Sequence, residues 1–298
     1  MRENIITLYG TKIKTDIPFP FDLSHETQTQ GEVALSSAVP ESIVSAITCG
    51  LPLYWAHGRN VYLYSDRSFD GSEKGQPWCY EVKGVVTFYW IGGERTVYYV
   101  RHNDTSVALL SFWFIHLLLP LYFALEGVYD ILHGGAVEIE GKAVLFAAPS
   151  MGGKSTMTDY FIGQGHTMIS DDKIPTFVEN GRFMLAGSHP YHRPYRKFED
   201  LGYRVEHFSR KFLPLHAMYL LEKAELERET VIEEIRGFEK FNAMLPHYLY
   251  TFPFFQRKRM VYLSRMMNRV RVFRVKRPWD MEKLPEVYRA ITAHSRSL

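Results

Sequence analysis

"LHGGAVEIEGKAVLFAAPSMGGKSTMTDYFIGQGHTMISDDKIP", residues 132–175, is the stretch whose reading decides the fold. Two apolar and β-branched runs, "GAVEIE" and "KAVLFAA", meet at Glu140-Gly141, a pair suited to a two-residue hairpin turn. A hairpin about that pair opposes residues whose numbers sum to about 281, which sets His133 across from Ala148. The second run then enters Ser150-Met151-Gly152-Gly153-Lys154-Ser155-Thr156. Gly153, Lys154 and Ser155 fit the phosphate-loop pattern G-x-x-x-x-G-K-[ST], while Ala148 stands where its first glycine belongs. The stretch is either a phosphate loop with an altered first half or a glycine turn.

Apolar spacing predicts a helix from Ser155 to Ile162, stopped by Gly163 and Gly165 as left-handed caps. "HTMIS" reads as a short buried strand ending in Asp171-Asp172. Strand, loop, helix and strand in this order make a right-handed crossover, so the two strands run parallel with their C-terminal ends at one edge. Lys154 and the aspartate pair are therefore expected to converge, with His133 at the mouth of the loop.

Those residue types suit phosphoryl transfer, which needs positioning and charge neutralisation more than covalent chemistry. Backbone N–H groups from Ser150 to Thr156 would wrap the phosphates, Lys154 would reach the outer ones and Ser155 would hold Mg²⁺. Of Asp171 and Asp172, one would hold the metal, with Asp172 assigned here, and one would take the proton of an attacking hydroxyl; which is the base stays open. His133 would polarise a phosphate or act as acid or base. Each element has a plainer alternative: a turn, a cap, a structural histidine. Their conjunction at one edge favours a nucleotide site. The short spacing from Lys154 to Asp171 also departs from GTPases and motor ATPases, whose acidic strand comes later.

Around this core the chain reads as an α/β (α+β) protein. Its 298 residues, 46% hydrophobic and 23% charged, suit one large globular domain or two modest ones. Two cysteines, Cys49 and Cys79, make no disulfide framework, and no secretory signal opens the chain, so a cytoplasmic, reducing setting is expected. Residues 1–105 are expected to form an antiparallel β domain from "NIITLYG", "KIKTDI", "SIVSAI", "NVYLYS" and the hairpin "VVTFYWIGGERTVYYV", with polar loops "DLSHETQTQGE" and "DGSEKGQPW" between them. Residues 106–298 form the second domain, including "VALLSFWFIHLLLPLYFAL", residues 107–125. That run is about long enough to cross a bilayer, but is read as a helix buried between layers, so no membrane partner is expected.

Downstream, "GSHPYHRPYRKFEDLG" reads as a polar loop, in which Arg193 and Arg196 are candidates for holding substrate or phosphate. A helix, a strand and a terminal helix close the chain. From Phe252 to Arg277 nine basic residues occur with no acid among them. Most are read as a solvated face, and the aromatic pattern of a nucleic-acid binder is absent.

At "LHGG", "EIEGKAVLF", "APSMGGKST", "FIGQGH" and "ISDD" the chain resembles the HPr kinase/phosphorylase family in order and spacing. The resemblance implies a P-loop kinase domain using ATP and Mg²⁺, with His133 catalytic, Lys154 on phosphate, Ser155 on magnesium and Asp171 and Asp172 as the acidic pair. Ala148 and Met151 replace two loop glycines, and a left-handed turn at Met151 would be strained, so a locally different loop is expected. The second family signature, G-x-x-x-L-D-V-R, is absent. The N-terminal β domain, the long apolar helix and the terminal "VRVFRVKRPWDMEKLPEVYRAI" more closely resemble the HPr-kinase-like proteins of lasso-peptide systems. These imply phosphorylation of a serine on a precursor peptide, commonly the C-terminal one; a homo-oligomer is compatible. The alternatives are a kinase of HPr-like proteins or small hydroxylated molecules, and a non-catalytic ATP-binding accessory protein.

Overall fold

Alternation of buried and solvent-facing side chains, as at Ile13 and Lys14, lays down the first sheet. The computed structural model describes residues 4–19, 29–56, 58–66, 74–194, 199–224 and 229–298. They form two compact units, Met1–Val128 with Arg196–Leu201, and Tyr129–Tyr195 with Gly202–Leu298.

In the first unit β1 (Asn4–Leu8), β2 (Thr11–Thr15), β3 (Glu32–Ser36), helix α1 (Glu41–Ala46), β4 (Cys49–Ala56) and β5 (Arg59–Ser65) are followed by β6 (Pro77–Val82), β7 (Val86–Ile91) and β8 (Thr96–Arg101). The sheet order is β1-β2-β3-β8-β7-β6-β5-β4. The β7–β8 hairpin forms as expected, with Trp90 opposite Val97. β3 runs parallel to both β2 and β8, so this sheet is mixed, while its other pairs are antiparallel. "SIVSAI" was expected as a strand and is mostly α1: Pro40 starts the turn, Glu41 lies in its first turn, and only Ile43 is buried. The loop "DLSHETQTQGE" and the first part of "DGSEKGQPW" lie mostly outside the described residues.

The apolar run is helical from Val107 to Leu125, and 78% of its most apolar window is buried within the fold. It comprises α2 (Val107–Phe112), a π-helical segment Trp113–Leu118, and α3 (Leu119–Leu125). Ser106 caps it by accepting from the Leu109 N–H. Pro120 has no N–H to donate, and the helix widens just before it. Tyr9 donates to the Ile115 carbonyl at 3.0 Å, and Trp113 Nε1 donates to Glu199 at 2.7 Å, so the helix is fastened from both sides within this unit. The length that suits a bilayer here fills a core.

The second unit contains β9 (Asp130–Ile139), β10 (Lys142–Ala147), α4 (Lys154–Gly163), β11 (Met168–Glu179), β12 (Arg182–Leu185), β13 (Tyr191–His192) and β14 (Tyr203–Arg204). After them come β15 (Leu213–Ala224), β16 (Val231–Glu234), α5 (Gly237–Met244), α6 (Gln256–Met267), β17 (Arg271–Pro278) and α7 (Leu284–Ser297). Glu140 and Gly141 take φ of 49° and 75°, the turn that a two-residue hairpin requires. The register from Lys142 opposite Ile139 to Phe146 opposite Gly135 is the expected one. β11 pairs antiparallel with β9, so β10 and β11 run parallel with β9 between them. β15 pairs parallel with β10 and β17, and its first residues pair with β12, which closes β9, β10, β15, β12 and β11 into a ring of ladders.

Period-two alternation gives this sheet two apolar faces. Val144 and Phe146 pack with Met157 and Phe161 of α4 and with Val287 and Ile291 of α7. Leu145 and Ala147 pack on the opposite face with Phe241 of α5 and with Tyr262, Leu263 and Met266 of α6. Full burial of each such side chain contributes about 1.5–3 kcal/mol. Gly135 allows α4 to lie directly on the sheet, since a β-carbon there would collide with Thr158 Oγ1.

Two expectations are corrected here. The strand carrying Asp171 and Asp172 does not end at them; it continues to Glu179 and turns at Asn180-Gly181, φ 50° and 75°, into β12. Residues 187–192, expected in a polar loop, are buried, because Ser188 and Tyr191 find hydrogen bonds inside the unit.

Candidate functional site

The loop from Ala148 to Gly153 joins the end of β10 to α4, and Lys154 is the first residue of that helix. Gly153 caps it with φ 82°. Met151 also takes a left-handed φ, 61°, with its side chain 92% exposed. The expectation of a locally different loop is thus corrected: the backbone keeps the left-handed turn at Met151, at a steric cost of about 1–2 kcal/mol. Lys154 is buried, and its ammonium donates to the carbonyls of Ala148 at 2.9 Å and Pro149 at 3.1 Å. The first N–H groups of α4, among them those of Ser155 and Thr156, have no acceptor inside the helix and carry its positive dipole end.

Two strands away, Asp171 lies opposite Gly135 and Asp172 opposite Gly134, in the rows next to Phe146 at the end of β10. Asp171 is buried, and its Oδ2 accepts from His192 Nδ1 at 2.8 Å and from the Arg193 backbone N–H at 3.0 Å. His192 is fully buried, and its Nε2 faces Asp159 of α4 at 3.5 Å. Tyr203 donates to that same Asp159 oxygen. Asp172, φ 68°, has a half-buried side chain held by Lys173 Nζ at 2.7 Å and His133 Nδ1 at 3.3 Å. His133 Nδ1 also lies 3.1 Å from the Asp172 carbonyl, so strand pairing and side chain together fix its ring.

His247, in the turn after α5, belongs to the same neighbourhood. Burial first, and then the charges of His133 and Lys154, bring it down to about 4, so it is neutral at pH 7. Burial does the same to His189, also about 4. Among the described residues no group of three or more His, Cys, Asp or Glu side chains gathers as a metal cage.

No family model matches the chain, and no curated protein does. Among solved structures it is similar to the Hpr(Ser) kinase/phosphatase from Coxiella burnetii, with a TM-score of 0.35 and 13% sequence identity. That alignment covers 56% of this chain and 97% of that one.

His133, Asp171 and Asp172, the loop residues Ser150, Met151, Gly152 and Gly153, and Lys154, Ser155 and Thr156 all lie in the second unit, on β9, β11, the β10–α4 loop and the first turn of α4. Arg193 touches Asp171 through its backbone N–H, whereas Arg196 lies outside the described residues. Sequence reasoning missed the roles of His192 and His247. His192 carried a faint signal, a histidine immediately before Arg193, yet only β13 folding in behind β11 brings it to Asp171. His247 had none, since its neighbours His133 and Lys154 stand far earlier in the chain.

Proposed function

We propose that the second unit is an ATP-dependent phosphotransferase that moves the γ-phosphate to a serine hydroxyl of a precursor peptide. The observation that carries this reading is the arrangement of Lys154 at the positive end of α4 in the same sheet-edge region as Asp171 and Asp172, two strands across.

In this reading Lys154 exchanges its two carbonyl partners for phosphate oxygens, and the N–H groups of Gly153, Lys154, Ser155 and Thr156 supply a fixed positive end. Magnesium fits the donors present: it takes one or two protein oxygens and completes its shell with phosphate and water, so a three-carboxylate cage is not required. Ser155 and Asp172 would hold it, and when bound it neutralises charge on the transferred group. Asp171 acts as base. Both of its hydrogen bonds fall on Oδ2, which leaves Oδ1 to accept the proton of the serine hydroxyl. His192 fixes the carboxylate plane, and His133 stands beside Asp172 to donate to the phosphoryl oxygen.

The peptide acceptor is supported by resemblance of arrangement to the HPr-kinase-like proteins of lasso-peptide systems, and by the absence of the G-x-x-x-L-D-V-R signature that HPr kinases carry. Mass spectrometry of a serine-ended precursor peptide incubated with Mg-ATP and the protein tests it. A gain of one phosphate, about 80 Da, at the serine and its loss in Lys154→Ala is the expected result. Retained ATP binding without transfer would overturn the peptide acceptor, and absence of ATP binding would overturn the phosphate loop.

A further inference from the structure

The basic run from Phe252 to Arg277 separates into two kinds of residue once its partners are known. Arg274 pairs with Glu222 and Glu239, Lys276 with Glu233, Arg271 with Glu234 and Lys258 with Asp130. Arg259 and Arg269 donate to carbonyls of Leu245 and Gly181. These charges complete a solvated face of the second unit.

Arg277 differs from all of them. It is only 5% exposed, it has no ion-pair partner among the described residues, and its Nε donates to nothing. Its one hydrogen bond, from Nη1 to the carbonyl of Pro278 next in the chain, is long at 3.4 Å. The guanidinium lies over Trp279, 4.8 Å from the ring centroid. Burial lowers its pKa from the ordinary arginine value, with no charged neighbour opposing the shift. A cation removed from water without a counter-charge costs several kcal/mol, which points to an anion that completes the site.

Its direction is given by the loop. β17 runs parallel to β15, which runs parallel to β10, so the end of β17 lies at the sheet edge where the β10–α4 loop begins. Arg277 Nη2 sits where a β-carbon on Gly153 would be, and the Trp279 ring would lie 3.5 Å from that same atom. Gly153 is thus needed twice, for its left-handed φ and because the guanidinium fills the space beside its Cα. The arginine is aimed at the N-terminus of α4, the helix that Lys154 opens.

We propose that Arg277 is a further anion-binding residue of this loop, contacting the phosphoryl oxygens of the nucleoside triphosphate opposite Lys154. The inference rests on the phosphate-loop reading and deepens it: the loop whose first glycine is Ala148 takes part of its phosphate grip from the last strand of the sheet. Arginine suits the task because its planar fork matches phosphate oxygens and it stays charged when buried. Trp279 holds the fork in place by stacking.

The test is equilibrium binding of Mg-ATP and of inorganic tripolyphosphate to the full chain, to Arg277→Met and to Arg277→Lys, with folding checked by circular dichroism. Arg277→Met is expected to weaken both ligands by roughly 10- to 100-fold, the loss of one charged hydrogen-bonding group, with Arg277→Lys in between. If Arg277→Met does not fold, Arg277→Lys decides: it keeps the charge and loses the fork, and a several-fold loss for both ligands is expected. Unchanged affinity in the folded variant, while Lys154→Ala abolishes binding, would overturn the role of Arg277 and leave the phosphate loop standing. Failure of the unaltered protein to bind either ligand would overturn both. Loss for ATP with tripolyphosphate unaffected would place Arg277 on the nucleoside and overturn the phosphate contact.

Discussion

His192, fully buried, donates from Nδ1 to Asp171 Oδ2 at 2.8 Å, while its Nε2 faces Asp159 at 3.5 Å. An imidazole thus stands between a carboxylate on β11, to which it is hydrogen-bonded, and one on α4, the helix that Lys154 begins, which it approaches without a hydrogen bond. The carboxylate of Asp171 is thereby oriented by a histidine that also faces the helix whose first residue is Lys154.

Removing that link is expected to show in turnover rather than in nucleotide affinity. His192→Phe should lower kcat by about 10- to 100-fold with the KM for ATP little changed. Asp171→Asn should lower kcat by about 10²- to 10⁴-fold, the range for a general base. His192→Phe should also cost about 1–3 kcal/mol in stability, because Asp171 stays buried with one donor fewer. Steady-state kinetics with thermal unfolding checks both, and an effect on KM alone would contradict the assignment.

Acid should destabilise the fold through His189 and His247. Both have folded-state values of about 4, below the ordinary 6.5, and burial is the largest cause. Between those limits the unfolded chain binds more protons than the folded one. Stability is therefore complete above pH 6.5 and declines as the pH falls toward 4, by up to about 1.4 kcal/mol per pH unit for each histidine. Urea unfolding at pH 7, 6 and 5 measures the slope, and His247→Gln should remove about half of it.

Met151 carries a left-handed φ of 61° that glycine adopts freely. Met151→Gly should leave stability unchanged or raise it by about 0.5–1 kcal/mol, since relief of strain outweighs the added chain entropy. Met151→Val should lose about 1–2 kcal/mol, because a β-branched side chain fits that region poorly. Denaturant midpoints for the pair read the difference without any assay of activity.

Gly135→Ala should be severely destabilising, by about 2–4 kcal/mol, because its new methyl meets Thr158 Oγ1 where α4 rests on β9. Thr158→Ala in the same chain should recover a substantial part. A double-mutant cycle measures the coupling, and additive losses would show that the contact is not the cause.

Much of the second unit was legible in residues 132–175, because hairpin turns, helix caps and crossover handedness are local or nearly local rules. The Glu140-Gly141 turn set the register of β9 against β10, and the crossover set β11 parallel to β10. The extent of β11 was not legible: Asp171-Asp172 resembles a strand end, yet ladder bonds to β9 carry the chain through a left-handed Asp172 to Glu179. "SIVSAI" has β-branched residues suited to a strand, yet Pro40 precedes a short helix over Glu41–Ala46 that buries Ile43.

By itself, then, the sequence determined the hairpin, the loop that opens α4 and the parallel course of β10 and β11, since each follows from neighbours in the chain. Only the tertiary structure decided which buried groups surround them. His192 reaches Asp171 through β13, His247 approaches Lys154 from the turn after α5, and Arg277 meets Gly153 from β17. Those contacts join residues far apart in the chain, and the physical reason they form is the closing of the sheet, which leaves each polar group to find its partner wherever the core permits.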